Sequence, residues 1–150
     1  MTALPPTPTP AIAPAAAAMF AADTAAKHLG MQLIEARPGY AKVTMPVVDW
    51  MINGHNTGHG GITFTLADAA FAFACNAHNI RTVALEASIH FTKAVRLGDT
   101  LTAIAEQDHD GRVTGVYRVT VTNQTGETVA LLTMMGYRLL KEPPLVAEAE

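Results

Sequence analysis

One carboxylate, Asp68, sits inside the most apolar stretch of the chain, Ile62 to Cys75. That stretch follows directly on a loop of glycine and histidine, Asn53 to Gly61 (NGHNTGHGG). Burial disfavours the charged form of a carboxylate. Asp68 therefore either hydrogen-bonds to a neighbour and fixes the helix, or faces a cleft and acts as base or nucleophile with a perturbed pKa. Gly60 and Gly61 stand where a helix would begin. The first backbone N–H groups of a helix lack internal partners, and the dipole adds partial positive charge there. Glycine carries no Cβ to keep a ligand away. The pair either makes a tight turn and nothing more, or forms a site for a carbonyl oxygen that gains charge.

The two features constrain each other. Asp68 lies eight residues beyond Gly60, which at 1.5 Å per residue puts them roughly 12 Å apart along one helix. A base must reach its proton directly or through one water, so one helix does not bring both groups to one carbonyl. A second copy of the helix, packed antiparallel, would set its Asp68 beside the first copy's Gly60. If the two groups work together, the sites are composite and the protein is a dimer.

The elements that must position these residues are readable from pattern. Ala15 to Leu29 reads as a helix with Gly30 as C-cap, and Tyr40 to Val48 as a strand with Ala41, Val43 and Met45 on one side. Ile62 to Cys75 is apolar nearly all round, the mark of an enclosed helix. It is too short for a membrane span of about 20 residues. Thr82 to Val95, Thr100 to Gln107, Val113 to Thr122 and Thr128 to Leu139 are rich in Val, Thr, Ile and Leu, with turn signals between them. Short loops between successive strands imply hairpins. The expectation is an α+β domain: a strand, a long buried helix, then a four-stranded antiparallel meander wrapping it.

Composition bounds the rest. The chain has 150 residues, of which 49% are hydrophobic and 15% charged, and its net charge is −3. It suits one globular domain and offers no basic patch for nucleic acid or an anionic membrane. Cys75 is the single cysteine, so an intrachain disulfide is excluded and a reducing, cytoplasmic setting is expected. Residues 1–15, rich in Pro and Ala and without the basic region of a signal peptide or the arginines of a transit peptide, are expected to be a flexible tail. The domain is placed at 16–141, and 142–150 is read as a second flexible tail.

The pattern Asn-Gly-x-x-x-x-His-Gly-Gly, with Ala67-Asp68 beginning six positions after Gly61, resembles the PaaI-like, phenylacetate-pathway branch of the hotdog-fold acyl-CoA thioesterases. The likeness continues through Ala70 to Asn76 (AFAFACN), Gly98 to Leu101 (GDTL) and Thr114 to Tyr117 (TGVY), and spans roughly Ala16 to Lys141. It implies the hotdog fold, a long central helix in a curled antiparallel sheet. It also implies hydrolysis of an acyl-CoA with no separate cofactor, coenzyme A being part of the substrate. By resemblance Asp68 activates water or attacks the thioester, the Gly60 N–H holds the thioester oxygen, Asn53 positions the thioester or the water, and His59 orients the loop and contacts substrate near the sulfur. Gly61 belongs to the substrate-binding turn. Family members form homodimers with shared sites, commonly paired into tetramers. The chain departs from the family pattern at Asn56 and Gly58, where Gly and Cys are expected. Thr92-Lys93 replaces an Arg-Pro turn, which leaves Lys93 as the replacement contact for coenzyme A phosphates or as a solvated charge.

Other chemistries are weaker. His55 and His59 are four apart and with Asp68 suggest a metal site, but they lie in a glycine-rich loop without a placed third ligand, so no metal is expected. A free cysteine such as Cys75 is usually a buried small hydrophobe rather than a nucleophile. Fold alone does not fix the reaction, so a hotdog hydratase or dehydratase competes, as does a non-catalytic acyl-CoA binding module. The Asn53, Gly60 and Asp68 constellation favours a thioesterase over both. Phe64, Phe71 and Phe73 on an apolar helix suit an apolar or aromatic acyl group, though most of these side chains are expected in the core; the family resemblance implies phenylacetyl-CoA or hydroxyphenylacetyl-CoA, with medium-chain acyl-CoA as the alternative.

Overall fold

The computed structural model describes residues 11–148. Its order is α1 (Pro14–Ala22), α2 (Thr24–His28), β1 (Gln32–Arg37), β2 (Tyr40–Pro46), α3 (Gly60–Asn76), β3 (Thr82–Phe91), β4 (Thr100–Asp110), β5 (Thr114–Thr122) and β6 (Thr128–Arg138). Most of the Pro/Ala-rich segment, residues 1–10, lies outside the described residues, as do 149–150.

The strands form one six-stranded antiparallel sheet in the order β1-β2-β4-β5-β6-β3. The sheet curls around α3 without closing into a barrel. This is the hotdog arrangement. Inward positions alternate as a half-buried strand requires: Ala41, Val43 and Met45 on β2, Leu101, Ala103 and Ala105 on β4, and Val119 and Val121 on β5 are fully buried. The apolar segment is a 17-residue helix, and its faces toward the sheet are sealed by Leu66, Ala67, Ala70, Phe71, Phe73 and Ala74.

Three expectations need correction. The first helix is not continuous: Asp23 takes an extended conformation, and its carboxylate accepts a 2.9 Å hydrogen bond from the Ala26 N–H, restarting the helix as α2. A further strand, β1, precedes Tyr40. Its register shifts between Leu33 and Glu35, so the inward residues Leu33 and Ala36 are three apart and the period-two signal is lost. The four late strands are also not a meander. β4, β5 and β6 are, but β3 pairs with β6 at the far edge. The segment 92–99 therefore crosses the end of the sheet instead of turning a hairpin.

Both ends of the described chain are tied down. Ala13 N–H donates to Ala36 O at 2.8 Å, and Pro14 starts α1 where its missing N–H costs nothing. Past Lys141 the chain doubles back, with Asn79 exchanging two hydrogen bonds with the backbone of Val146 (2.9 and 3.1 Å) and Arg81 Nε donating to Pro143 O at 2.8 Å. No helix among the described residues is long and apolar enough to cross a membrane.

Phe73 shows how α3 is anchored. It is fully buried and meets Phe20 of α1 edge to face at 5.7 Å. Phe73→Ala opens a cavity between α1 and α3 and is expected to cost about 3–5 kcal/mol, read as a lowered midpoint in denaturant unfolding.

Candidate active site

Asn53 organises the loop before α3. Its Oδ1 accepts from His55 N (2.9 Å), Thr57 N (3.2 Å) and Thr57 Oγ1 (3.2 Å), and its own N–H donates to Thr57 O at 2.8 Å. The side-chain oxygen is thus committed to the loop, which leaves Nδ2 without a partner among the described residues. Asn56 adopts a left-handed φ of 59°, a conformation in which Asn is second to Gly; this accounts for a position where the family pattern carries glycine. Gly58 faces Val95 so closely that a Cβ would lie 2.6 Å from Val95 Cγ1, and its N–H donates to Val95 O at 2.8 Å.

His59 is the N-cap of α3. Its Nδ1 accepts from the Gly61 N–H at 3.1 Å, which requires the tautomer protonated on Nε2, while its backbone N–H donates to Met51 O at 2.8 Å. The cap consumes the Gly61 N–H. Gly60, the first helical residue, has no acceptor for its N–H among the described residues. Of the two glycines, Gly60 therefore keeps a free donor at the positive end of the helix dipole.

Asn53, Gly60 and Lys93 line one pocket of about 380 Å³, together with Thr63, Phe91 and Val95. Its far wall is the crossing segment after β3. Phe91, which the sequence did not single out, is 57% exposed, and its ring edge would meet a Cβ on Gly60 at 2.9 Å. Phe71 and Phe73 do not contribute: both are sealed in the core. Lys93, at the rim, pairs with Glu127, whose carboxyl is held down to about 2 by that hydrogen bond and by Asn123.

Asp68 does not line this pocket. It lies on the same regular helix, on the half-exposed stripe that runs Gly61, Phe64, Thr65, Asp68, Ala72. Its carboxylate makes no hydrogen bond among the described residues, so the reading in which a neighbour holds it in place finds no support. Burial raises its pKa above the usual range, and the carboxylate of Asp23 raises it further. Cys75 is buried, with its thiol pushed up to about 12. No group of three His, Cys, Asp or Glu able to hold a metal ion occurs among the described residues.

The Thioesterase superfamily pattern matches residues 55–130, which run from the loop through α3 and into β6. The acyl-coenzyme A thioesterase PaaI of Escherichia coli is 45% identical over 122 residues, covering 81% of this chain and 87% of that protein. The chain belongs to the thioesterase superfamily. The solved structure of E. coli PaaI, from the phenylacetic acid degradation operon, superimposes on this thioesterase with a TM-score of 0.84 and 40% identity, covering 89% of this chain and 99% of that one. A Streptococcus mutans protein solved with acetyl CoA matches at a TM-score of 0.72 and 36% identity, over 75% of this chain and 90% of that one.

Proposed function

We propose that this thioesterase hydrolyses acyl-CoA thioesters of the phenylacetyl-CoA or hydroxyphenylacetyl-CoA type, in phenylacetate degradation. The observation that carries the thioester chemistry is a pair of groups on one helix without partners among the described residues, the N–H of Gly60, which lines the pocket, and the Asp68 carboxylate two turns further on. The thioester oxygen sits on Gly60 N–H, with Asn53 Nδ2 as a second donor. Asp68 takes a proton from water as it adds to the carbonyl carbon, or attacks that carbon itself and is then released by water. In either route the C–S bond breaks and coenzyme A leaves as a thiolate, which needs no strong acid. His59 keeps the N-terminus of α3 open toward the pocket by capping Gly61 instead of Gly60. Lys93 at the rim is available to coenzyme A phosphates in exchange for Glu127.

The roughly 12 Å rise between Gly60 and Asp68 supports a composite site made by two antiparallel α3 helices. Two surfaces fit that homodimer: the half-exposed stripe of α3, and the outer edge of β3, where Val83 and Leu85 are exposed. Pairing of such dimers into a tetramer belongs to the same reading. The arylacetyl preference rests on the relationship to PaaI. With Phe71 and Phe73 in the core, Phe91 is the one aromatic side chain lining the pocket among the described residues, and this favours medium-chain acyl-CoA as the second reading.

Free-thiol release from a panel of aryl- and alkyl-acyl-CoAs tests both. Turnover fastest with arylacetyl-CoA is expected; fastest turnover with alkyl chains selects the second reading. Saturable binding without thiol release would make the protein an acyl-CoA binding module.

A further inference from the structure

Thr63 is only 3% exposed, yet it borders the pocket that holds Gly60 and Asn53. A helical threonine commonly returns its hydroxyl to the carbonyl four residues back. Thr65 does so, donating to Gly61 O at 2.8 Å. Thr63 does not, and its would-be acceptor, His59 O, already receives the N–H groups of Ile62 (2.9 Å) and Thr63 itself (3.3 Å). The Thr63 hydroxyl thus has no partner among the described residues. It is not sealed either, because the one sealed side-chain polar atom without a partner there is Gln107 Nε2. An unpartnered hydroxyl on a buried residue must meet the open space beside it, and that space is the pocket.

Position on the helix adds direction. Thr63 stands three residues after Gly60, so the two neighbour each other across the first turn. A helical Cα–Cβ bond tilts toward the N-terminus, which leans the hydroxyl over the turn that ends in the Gly60 N–H. On its other side Thr63 borders apolar space with Val47, Met51 and Leu101. The rest of the side chain thus lies against apolar neighbours, while the hydroxyl borders the pocket. We propose that Thr63 is a third donor of the thioester site, its hydroxyl hydrogen-bonding the oxygen received by Gly60 N–H and Asn53 Nδ2 as that oxygen gains charge. The hydroxyl keeps its proton throughout; water still supplies the oxygen and Asp68 still takes the proton. The inference rests on the thioesterase reading.

Thr63→Val keeps shape and removes the hydroxyl, Thr63→Ala removes it without overpacking, and Thr63→Ser retains it. kcat and KM for the best acyl-CoA of the panel are measured for each, with thermal unfolding alongside. The Val and Ala variants are expected to lose kcat on the order of 100-fold with KM within about threefold, and Ser to retain kcat within about threefold, as for loss and rescue of one oxyanion donor. Wild-type kcat in Val or Ala overturns the proposal. So does an equal loss in Ser and Val, because packing rather than hydrogen bonding would then be at fault. A wild-type protein that releases no thiol from any acyl-CoA overturns the thioesterase reading itself, and this inference with it.

Discussion

Asp68→Asn is expected to lower thiol release by at least about 100-fold, the range typical of acid–base catalysis, in a protein that stays folded. The substitution keeps the shape of the side chain and removes the charge. Because burial and Asp23 raise the Asp68 pKa, the wild-type activity should fall as pH drops through a value above the ordinary aspartate range. The limb should be absent in the residual activity of the variant. Stability runs the opposite way. A carboxyl whose folded pKa exceeds its unfolded pKa contributes stability only while protonated; that contribution is present below the unfolded pKa and lost as pH rises through the folded one. At neutral pH the wild type carries this cost and the Asn variant does not. The variant should therefore unfold at a higher temperature than wild type at neutral pH, with the gap closing in acid. Loss of activity joined to a gain in stability marks a residue retained for chemistry. Full activity in the variant would make Asp68 structural.

The parts of the fold legible in sequence were those where one local pattern decided the outcome. β2 alternates cleanly, and Ala41, Val43 and Met45 are all fully buried. α3 is apolar on every face that meets the sheet, and its extent was visible from Ile62 to Cys75. The rest depended on non-local pairing. β1 carries a bulge and a charged Glu35 in mid-strand, so neither period nor composition marks it. Placing β3 beside β4 followed from the rule that sequential strands pair. What displaces it is the segment 92–99, held to the loop before α3 and to the end of β2 by Gly58 N–Val95 O and Val47 N–Asp99 O, both 2.8 Å. That segment walls the pocket. The topology departs from the hairpin rule at the place where the chain builds the pocket beside Gly60, and local rules are expected to yield where function is served.

The same division holds for the site residues. Gly60, Asn53 and Lys93 were visible because glycine pairs, Asx loops and charges near turns have local signatures, and the structure brings all three to one pocket. Phe91 and Thr63 were not. Phe91 reads as one more strand residue until the crossing segment turns it toward Gly60, and Thr63 reads as one more helical residue until the occupancy of His59 O leaves its hydroxyl free. Gly61 carried a signal equal to that of Gly60, and only the cap from His59 separates them. A hydrogen-bond partner that is already taken has no trace in composition or spacing.

Asn53→Asp is expected to cost about 100-fold in kcat, the low end for loss of one preorganised donor, with little change in unfolding temperature. The acid keeps an oxygen where Oδ1 receives His55 N, Thr57 N and Thr57 Oγ1, so the loop retains its form. It loses Nδ2, the donor left over for the pocket, and sets a negative charge beside the developing oxyanion. Asn53→Ala removes both functions and should lower stability as well as activity, since three loop donors lose their acceptor. A composite site makes a sharper demand. In a dimer of one Asp68→Asn chain and one Asn53→Asp chain, one site receives both lesions and the other receives neither. After unfolding and refolding an equal mixture, half the dimers are mixed, and each has one intact site of two. The mixture should thus recover about a quarter of wild-type activity, as the two-fold symmetry of the pair requires. If the donor and the carboxylate instead met within one chain, every site would carry a lesion and the mixture would stay as inactive as its parts.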